Sequence, residues 1–171
     1  MGYRVERYST RQGNTIRVCN AVNTSKYKPI GHDDWISFWK ENCKEASSSV
    51  GCQNPTCNNK DVVGAHVITL DEHSPQVYIV PLCEGCNNKR EGLGIIDVDR
   101  DMCCPAPDQC LYLEDEDSDP QEINDANKRI LDDNEENLKD RRQELCDAIA
   151  QKAVRRHKSI LQYIIDRLGK K

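Results

Sequence analysis

Bulky apolar side chains are scarce in this chain: one phenylalanine, two tryptophans and two methionines in 171 residues, with hydrophobic residues at 37% and charged residues at 31%. That scarcity excludes a large interior and points to a small core, with a helical appendage, held by something besides apolar burial. No stretch approaches the roughly 20 apolar residues that a membrane span needs, so no membrane partner is expected. The first ten residues include Arg4, Glu6 and Arg7 and have no apolar run, so no signal peptide is expected and the reading is a soluble, cytoplasmic protein. In that compartment the thiol pool is kept reduced, and ten cysteines point to metal binding or plain burial before disulfides.

A uniform basic face is missing too. The formal charge of −5 divides into +4 for residues 1–60, −4 for 61–100, −9 for 101–143 and +4 for 144–171. Nucleic-acid binders gather Lys and Arg on one face, because phosphate neutralisation supplies most of the affinity. Only the two ends of this chain do so, which weighs against a tight nonspecific DNA binder.

Two segments rich in Tyr, Val, Ile and Thr, residues 3–10 and 15–22, flank Gly13 and Asn14 and predict an N-terminal β-hairpin. Asp34 suits a helix cap, after which Trp35, Phe38, Trp39 and Cys43 fall on one helical face, read as core rather than as a ligand-binding surface. Residues 46–50 read as a loop. The acidic run 114–119 reads as a linker. Beyond it no Gly or Pro occurs between Gln121 and Leu168, and Asp119 and Pro120 suit the start of a helix. A second start lies within 131–136, where Asp133 and Glu136 have capping-box spacing, so either one bent helix or a short helix leading into a longer one is expected. Leu131, Leu138 and Leu145 repeat as in a coiled coil, and Ile149, Ile160, Leu161, Ile164, Ile165 and Leu168 extend the stripe, which suits a protein partner or self-association. Arg155, Arg156, His157 and Lys158 read as a solvated face. The expected organisation is a domain over 1–113, a linker over 114–119 and a helical extension over 120–171.

Cys52-Gln-Asn-Pro-Thr-Cys57 and Cys83-Glu-Gly-Cys86 are two short chelating turns, the arrangement by which two knuckles give four thiolates to one structural zinc ion. Pro55 and Gly85 suit the bends those turns require. Between them, residues 62–70 and 77–82 are β-like runs joined by a polar loop, and a short helix can begin after Cys86. The order is knuckle, strand, strand, knuckle, helix: an α+β treble clef with a ββα element. Cys103, Cys104 and Cys110, with Cys19 or Cys43, form a second cluster whose spacing matches no metal pattern. His32 reads as a turn residue.

The Gly64-Ala65-His66-Val67 string and the Ile79-Val80-Pro81-Leu82-Cys83 to Asn87 string resemble those of the HNH nucleases of the His-Me finger superfamily, over roughly residues 50–92. The resemblance implies a metal-dependent endonuclease in which His66 is the general base that activates water against a phosphodiester. It also implies that Asn87 helps hold a catalytic divalent ion such as Mg²⁺, distinct from the zinc. Two further family roles are not matched. Ala65 stands where the family has a metal-binding Asp or His, and about Tyr78 falls where it has an Asn that orients the base; Asp61, Asp71, Glu72 and His73 are conceivable substitutes for the lost ligand. The alternative is a noncatalytic zinc module binding protein or nucleic acid, with the helical tail as adaptor and His66 as a structural residue that braces the knuckle.

Overall fold

The computed structural model describes residues 14–43, 50–70, 74–88, 94–115 and 118–168. Residues 3–10, expected as the first strand of the amino-terminal hairpin, lie outside the described residues, as do Asp71, Glu72 and His73. The fold is α+β. The strands are β1 (Thr15–Asn20), β2 (Tyr27–Lys28), β3 (Val63–Thr69), β4 (Val77–Leu82), β5 (Ile95–Asp99), β6 (Cys104–Pro105), β7 (Cys110–Tyr112) and β8 (Gln121–Ile123). The helices are α1 (Trp35–Asn42), α2 (Glu84–Asn87), α3 (Ala126–Asp133) and α4 (Glu135–Leu168), and a 3-10 turn spans Arg100–Met102.

The main sheet has the order β5-β1-β3-β4-β6, and β2, β7 and β8 form a second, smaller sheet. Strands β3 and β4 make the expected hairpin, antiparallel with His66 opposite Ile79 and Val67 opposite Tyr78. They follow one cysteine turn and precede the other, and α2 begins at the second, so the order read from the sequence is present. Because strand side chains alternate between faces, the hairpin serves two cores. Cys19, Ile68, Leu70, Val77 and Ile79 pack with Trp39 and Ile130 on one face. Val18, Ala65, Val67, Val80 and Leu82 pack with Cys83 and Cys86 on the other.

Helix α1 forms where its cap and aromatic spacing predict. The Asp34 carboxylate accepts the Ser37 N–H at 2.8 Å; hydrogen bonding from the Ser37 hydroxyl, and then from its N–H, holds that carboxyl below its usual range. Trp39 is fully buried and donates its indole N–H to the Met102 carbonyl at 2.8 Å; truncating such a side chain costs about 3–5 kcal/mol. The helix sits against β3 because Gly64 lets it. A Cβ on Gly64 would lie 2.3 Å from the Trp35 carbonyl carbon and 2.6 Å from the Ile36 nitrogen.

The helical tail departs from its expected start. Asp119 and Pro120 do not open a helix. Instead β8 follows, pairing Ile123 with Cys110, and burial of Ile123 in the core favours the strand over the local capping signal. Helix α3 begins at Ala126, and its first free N–H groups are capped from a distant segment: Ala126 donates to the Asp108 carbonyl and Asn127 to the Asp108 carboxylate, both at 3.1 Å. A short helix then leads into a longer one, with the break at Asn134 rather than through the Asp133 and Glu136 capping box. Asn134 is fully buried; its amide accepts the Val22 N–H at 2.9 Å and donates to the carbonyls of Val22 and Ile130 at 3.2 and 2.8 Å. Leu138 joins the core. Beyond it α4 runs outward over a total length of about 50 Å, with Ile149, Ile160, Leu161 and Ile164 exposed. Among the described residues, no helix is long and apolar enough to cross a membrane.

The Gly64 contact predicts that Gly64→Ala destabilises the protein by about 3 kcal/mol or prevents folding, because the obstacle is helix backbone. Gly85→Ala, whose new methyl group meets nothing within 4 Å, is expected to change stability by less than about 1 kcal/mol. Urea denaturation of both variants checks the pair; equal effects contradict this account of the α1 packing.

Candidate metal centre and adjoining cavity

The sulfurs of Cys52, Cys57, Cys83 and Cys86 all lie within 4.8 Å of one another, and all ten cysteines of the chain are free thiols. The Cys57 and Cys83 sulfurs are 3.7 Å apart. A disulfide would bring them to about 2.05 Å, whereas four sulfurs placed tetrahedrally about 2.3 Å from one ion are about 3.8 Å apart. The donor set and its spacing therefore fit a tetrahedral metal ion.

Backbone hydrogen bonds aim the sulfurs. In the first turn the Cys57 N–H bonds the Asn54 carbonyl and the Cys52 N–H the Asn59 carbonyl, while the Gln53 N–H bonds the Pro81 carbonyl at the end of β4, all at 2.9 Å. In the second, the N–H groups of Cys86 and Asn87 bond the Cys83 carbonyl at 3.0 and 2.8 Å. This turn is the start of α2, and Gly85 has neither a positive φ nor a crowded Cα, so the bend does not require the glycine expected to supply it. Asn54, unmarked in the sequence, is buried and donates to the Cys86 sulfur at 3.2 Å, while its oxygen accepts from the Thr56 N–H and hydroxyl at 3.1 and 3.0 Å. An N–H aimed at a ligating sulfur stabilises the thiolate and fixes its direction.

Cys52, Cys83 and Cys86 differ in acidity. Cys83 is held down to about 7, chiefly by a backbone hydrogen bond from Cys86, while burial is the main cause that pushes Cys52 up to about 12 and raises Cys86. An ion bound there takes thiolates, so its binding releases protons and strengthens with rising pH.

The second cysteine cluster makes no such cage: among the described residues the four cysteines above are the one such group of metal-binding side chains. Cys103 and Cys104 belong to different cores on opposite faces of the sheet. Burial raises Cys103 to about 12 and Cys19, Cys104 and Cys110 to about 11. They act as small apolar side chains.

Strand β1 pairs with β3 only from Val18 to Asn20, so Gly64 and Ala65 lie past the last pair. A cavity of about 590 Å³ opens there, and both His66 and Asn87 line it. His66, on the α1 face, is 4% exposed and meets the Trp35 ring edge-on at a centroid distance of 4.5 Å. Trp35 thus lines the cavity as well as packing on the core. Asn20 donates its amide N–H to the Asn87 carbonyl, and its own Oδ1 is buried without a partner, an acceptor that a ligand donor or a water would satisfy. Lys28 and Arg141 complete the charged lining, which contains no carboxylate among the described residues.

The two positions at which the HNH resemblance fails both lie on the cysteine face of the sheet. Ala65 is buried among the apolar side chains on the cysteine face. Tyr78 lies on that face as well, opposite Val67 rather than His66, with its hydroxyl donating to Gln76 at 2.6 Å. Asp61 is exposed and does not line the cavity. The side chains of Ala65 and Tyr78 thus pack on the face opposite His66, and Ala65 also lines the cavity. His32 sits 3.6 Å from the Glu41 carboxylate, with its ring edge-on to Phe38. Asn20, Lys28, Asn54 and Arg141 carried no local signal, because only tertiary packing brings them to these sites. Comparison of the chain with protein-family models, with curated proteins and with solved structures finds no match.

Two outcomes follow. Cys86→Ser is expected to abolish stoichiometric metal binding, and Asn54→Ala to weaken it by roughly tenfold or more, as read by competition with a chromophoric chelator; unchanged affinity in Asn54→Ala contradicts the role of its N–H. The second concerns His66, whose burial lowers its pKa from 6.5 to about 4. The unfolded chain then takes up a proton that the folded chain refuses, so stability is complete above pH 6.5 and declines as the pH falls toward 4. Between pH 7 and pH 5 the wild type should lose about 2 kcal/mol more than His66→Phe. Parallel urea profiles for the two proteins would contradict the buried, neutral imidazole.

Proposed function

We propose that this protein is a zinc-stabilised, HNH-like module that binds nucleic acid in the His66 cavity. The carrying observation is that His66 and Asn87, distant in sequence, line one cavity whose described charged groups are Lys28 and Arg141. Two cationic side chains in a described lining that includes no carboxylate suit a phosphodiester, and a set of asparagine amides beside an aromatic ring suits an unstacked base. Zinc is the ion favoured at the four cysteines, because four thiolates in tetrahedral geometry match its structural sites.

Hydrolysis is the second reading, motivated by His66 and Asn87 lining one cavity, with burial leaving the His66 imidazole neutral and a weak base. In that step His66 takes a proton from water as the water oxygen bonds to phosphorus, and the departing oxygen is protonated by solvent. A divalent ion at Asn87 would stabilise the departing oxygen. Hard ions such as Mg²⁺ prefer several oxygen ligands including carboxylates, and the described lining offers none. Binding is therefore placed ahead of cleavage.

The zinc-loaded protein, incubated with labelled single-stranded and duplex DNA and RNA with and without Mg²⁺ or Mn²⁺, tests both readings. Saturable binding without strand scission is the expected result. Divalent-dependent cleavage lost in His66→Ala would establish the second reading instead, and neither binding nor cleavage would overturn the proposal.

A further inference from the structure

We propose that the carboxyl-terminal helix is part of the ligand site: Arg141 of α4 and Lys28 of β2 bracket one phosphate of the strand whose neighbouring groups enter the His66 cavity. This rests on the nucleic-acid reading of the cavity and adds the group that grips the backbone.

The helix reaches the cavity through Asn137 and Arg141, one turn apart and so on the same helical face. It is fixed there by the buried Asn134 amide, which holds the backbone of Val22 through both its N–H and its carbonyl. Residues 21–25 form another wall of the cavity, so a single side chain ties two walls together. Leu138, buried in the core, holds the following turn.

Arg141 is oriented and still reachable. Its guanidinium lies 3.2 Å from the Glu144 carboxylate, with the Arg141 side chain 23% exposed and that of Glu144 47% exposed. Such a half-solvated pair contributes little, and a phosphate can compete for the guanidinium. A planar fork of donors suits two phosphate oxygens at once.

The test measures fluorescence anisotropy of a short labelled oligonucleotide, as single strand and duplex, against the zinc-loaded full chain over a series of KCl concentrations. Arg141→Gln should weaken binding roughly tenfold at low salt and flatten the slope of log affinity against log salt by about 0.7–0.9, the value of one phosphate contact. Arg141→Lys should restore the slope but only part of the affinity, since it keeps the charge and loses the fork. Arg156→Gln, about 22 Å further along the helix, should match the wild type. Unchanged binding by Arg141→Gln, or equal weakening by Arg156→Gln, overturns this inference and leaves the cavity reading intact, whereas no binding by the wild type overturns both. Should Arg141→Gln disturb α4, as read by circular dichroism, Lys28→Gln, at the exposed position of β2, repeats the measurement, and an unaltered slope there overturns the inference.

Discussion

Four sulfurs gathered around one point are the constraint on which the rest of this structure depends. The two cysteine turns stand at opposite ends of the β3–β4 hairpin in sequence, and one cage closes the chain on itself at Cys52, Cys57, Cys83 and Cys86. An ion taken up by the four sulfurs supplies binding free energy that is also folding free energy. A chain with one phenylalanine and 31% charged residues has few other means of holding a hairpin of this size.

The cage acts on the cavity through the sheet. Cys83 and Cys86 pack with Ala65, Val67 and Leu82 on one face of β3 and β4, and His66 occupies the opposite face between Gly64 and Ile68. The same turn that places Cys86 begins the helix that ends at Asn87, so the cysteine cage adjoins both strand and helix of the ββα element. Asn20 then joins β1 to that helix end through the Asn87 carbonyl. The cavity is the space left where β1 stops short of Gly64, closed by the segment after β1 and by the first turns of α4. The acidic segment 114–119 joins β7 to β8 of one small sheet, and residues on both sides of it, Tyr27 and Cys110 before and Ile123 and Ile130 after, share one core.

Whatever depends on neighbours in sequence was legible from the residues. Chelation by a short turn demands close cysteine pairs, so the cage could be read directly. Helix α1 could be read from Asp34 and the spacing of its tryptophans, and the β3–β4 hairpin from two apolar runs with a polar interval. Elements fixed by partners elsewhere could not. Strands of two or three residues such as β2, β6 and β8 carry no periodicity, which is why Asp119 and Pro120 read as a helix start. The cap of α3 comes from Asp108, and its end is set by Asn134 reaching Val22, neither of which has a local signature. His66 and Asn87 were singled out through a resemblance of short strings and line one cavity, whereas Asn20, Lys28 and Arg141 meet them there only in three dimensions.

X-ray absorption at the zinc edge of the purified protein tests the central claim most directly. The account predicts one zinc per chain with four sulfur neighbours at about 2.3 Å and no nitrogen or oxygen in the first coordination sphere. A protein that folds without metal, or a spectrum requiring imidazole or oxygen ligands, would contradict it.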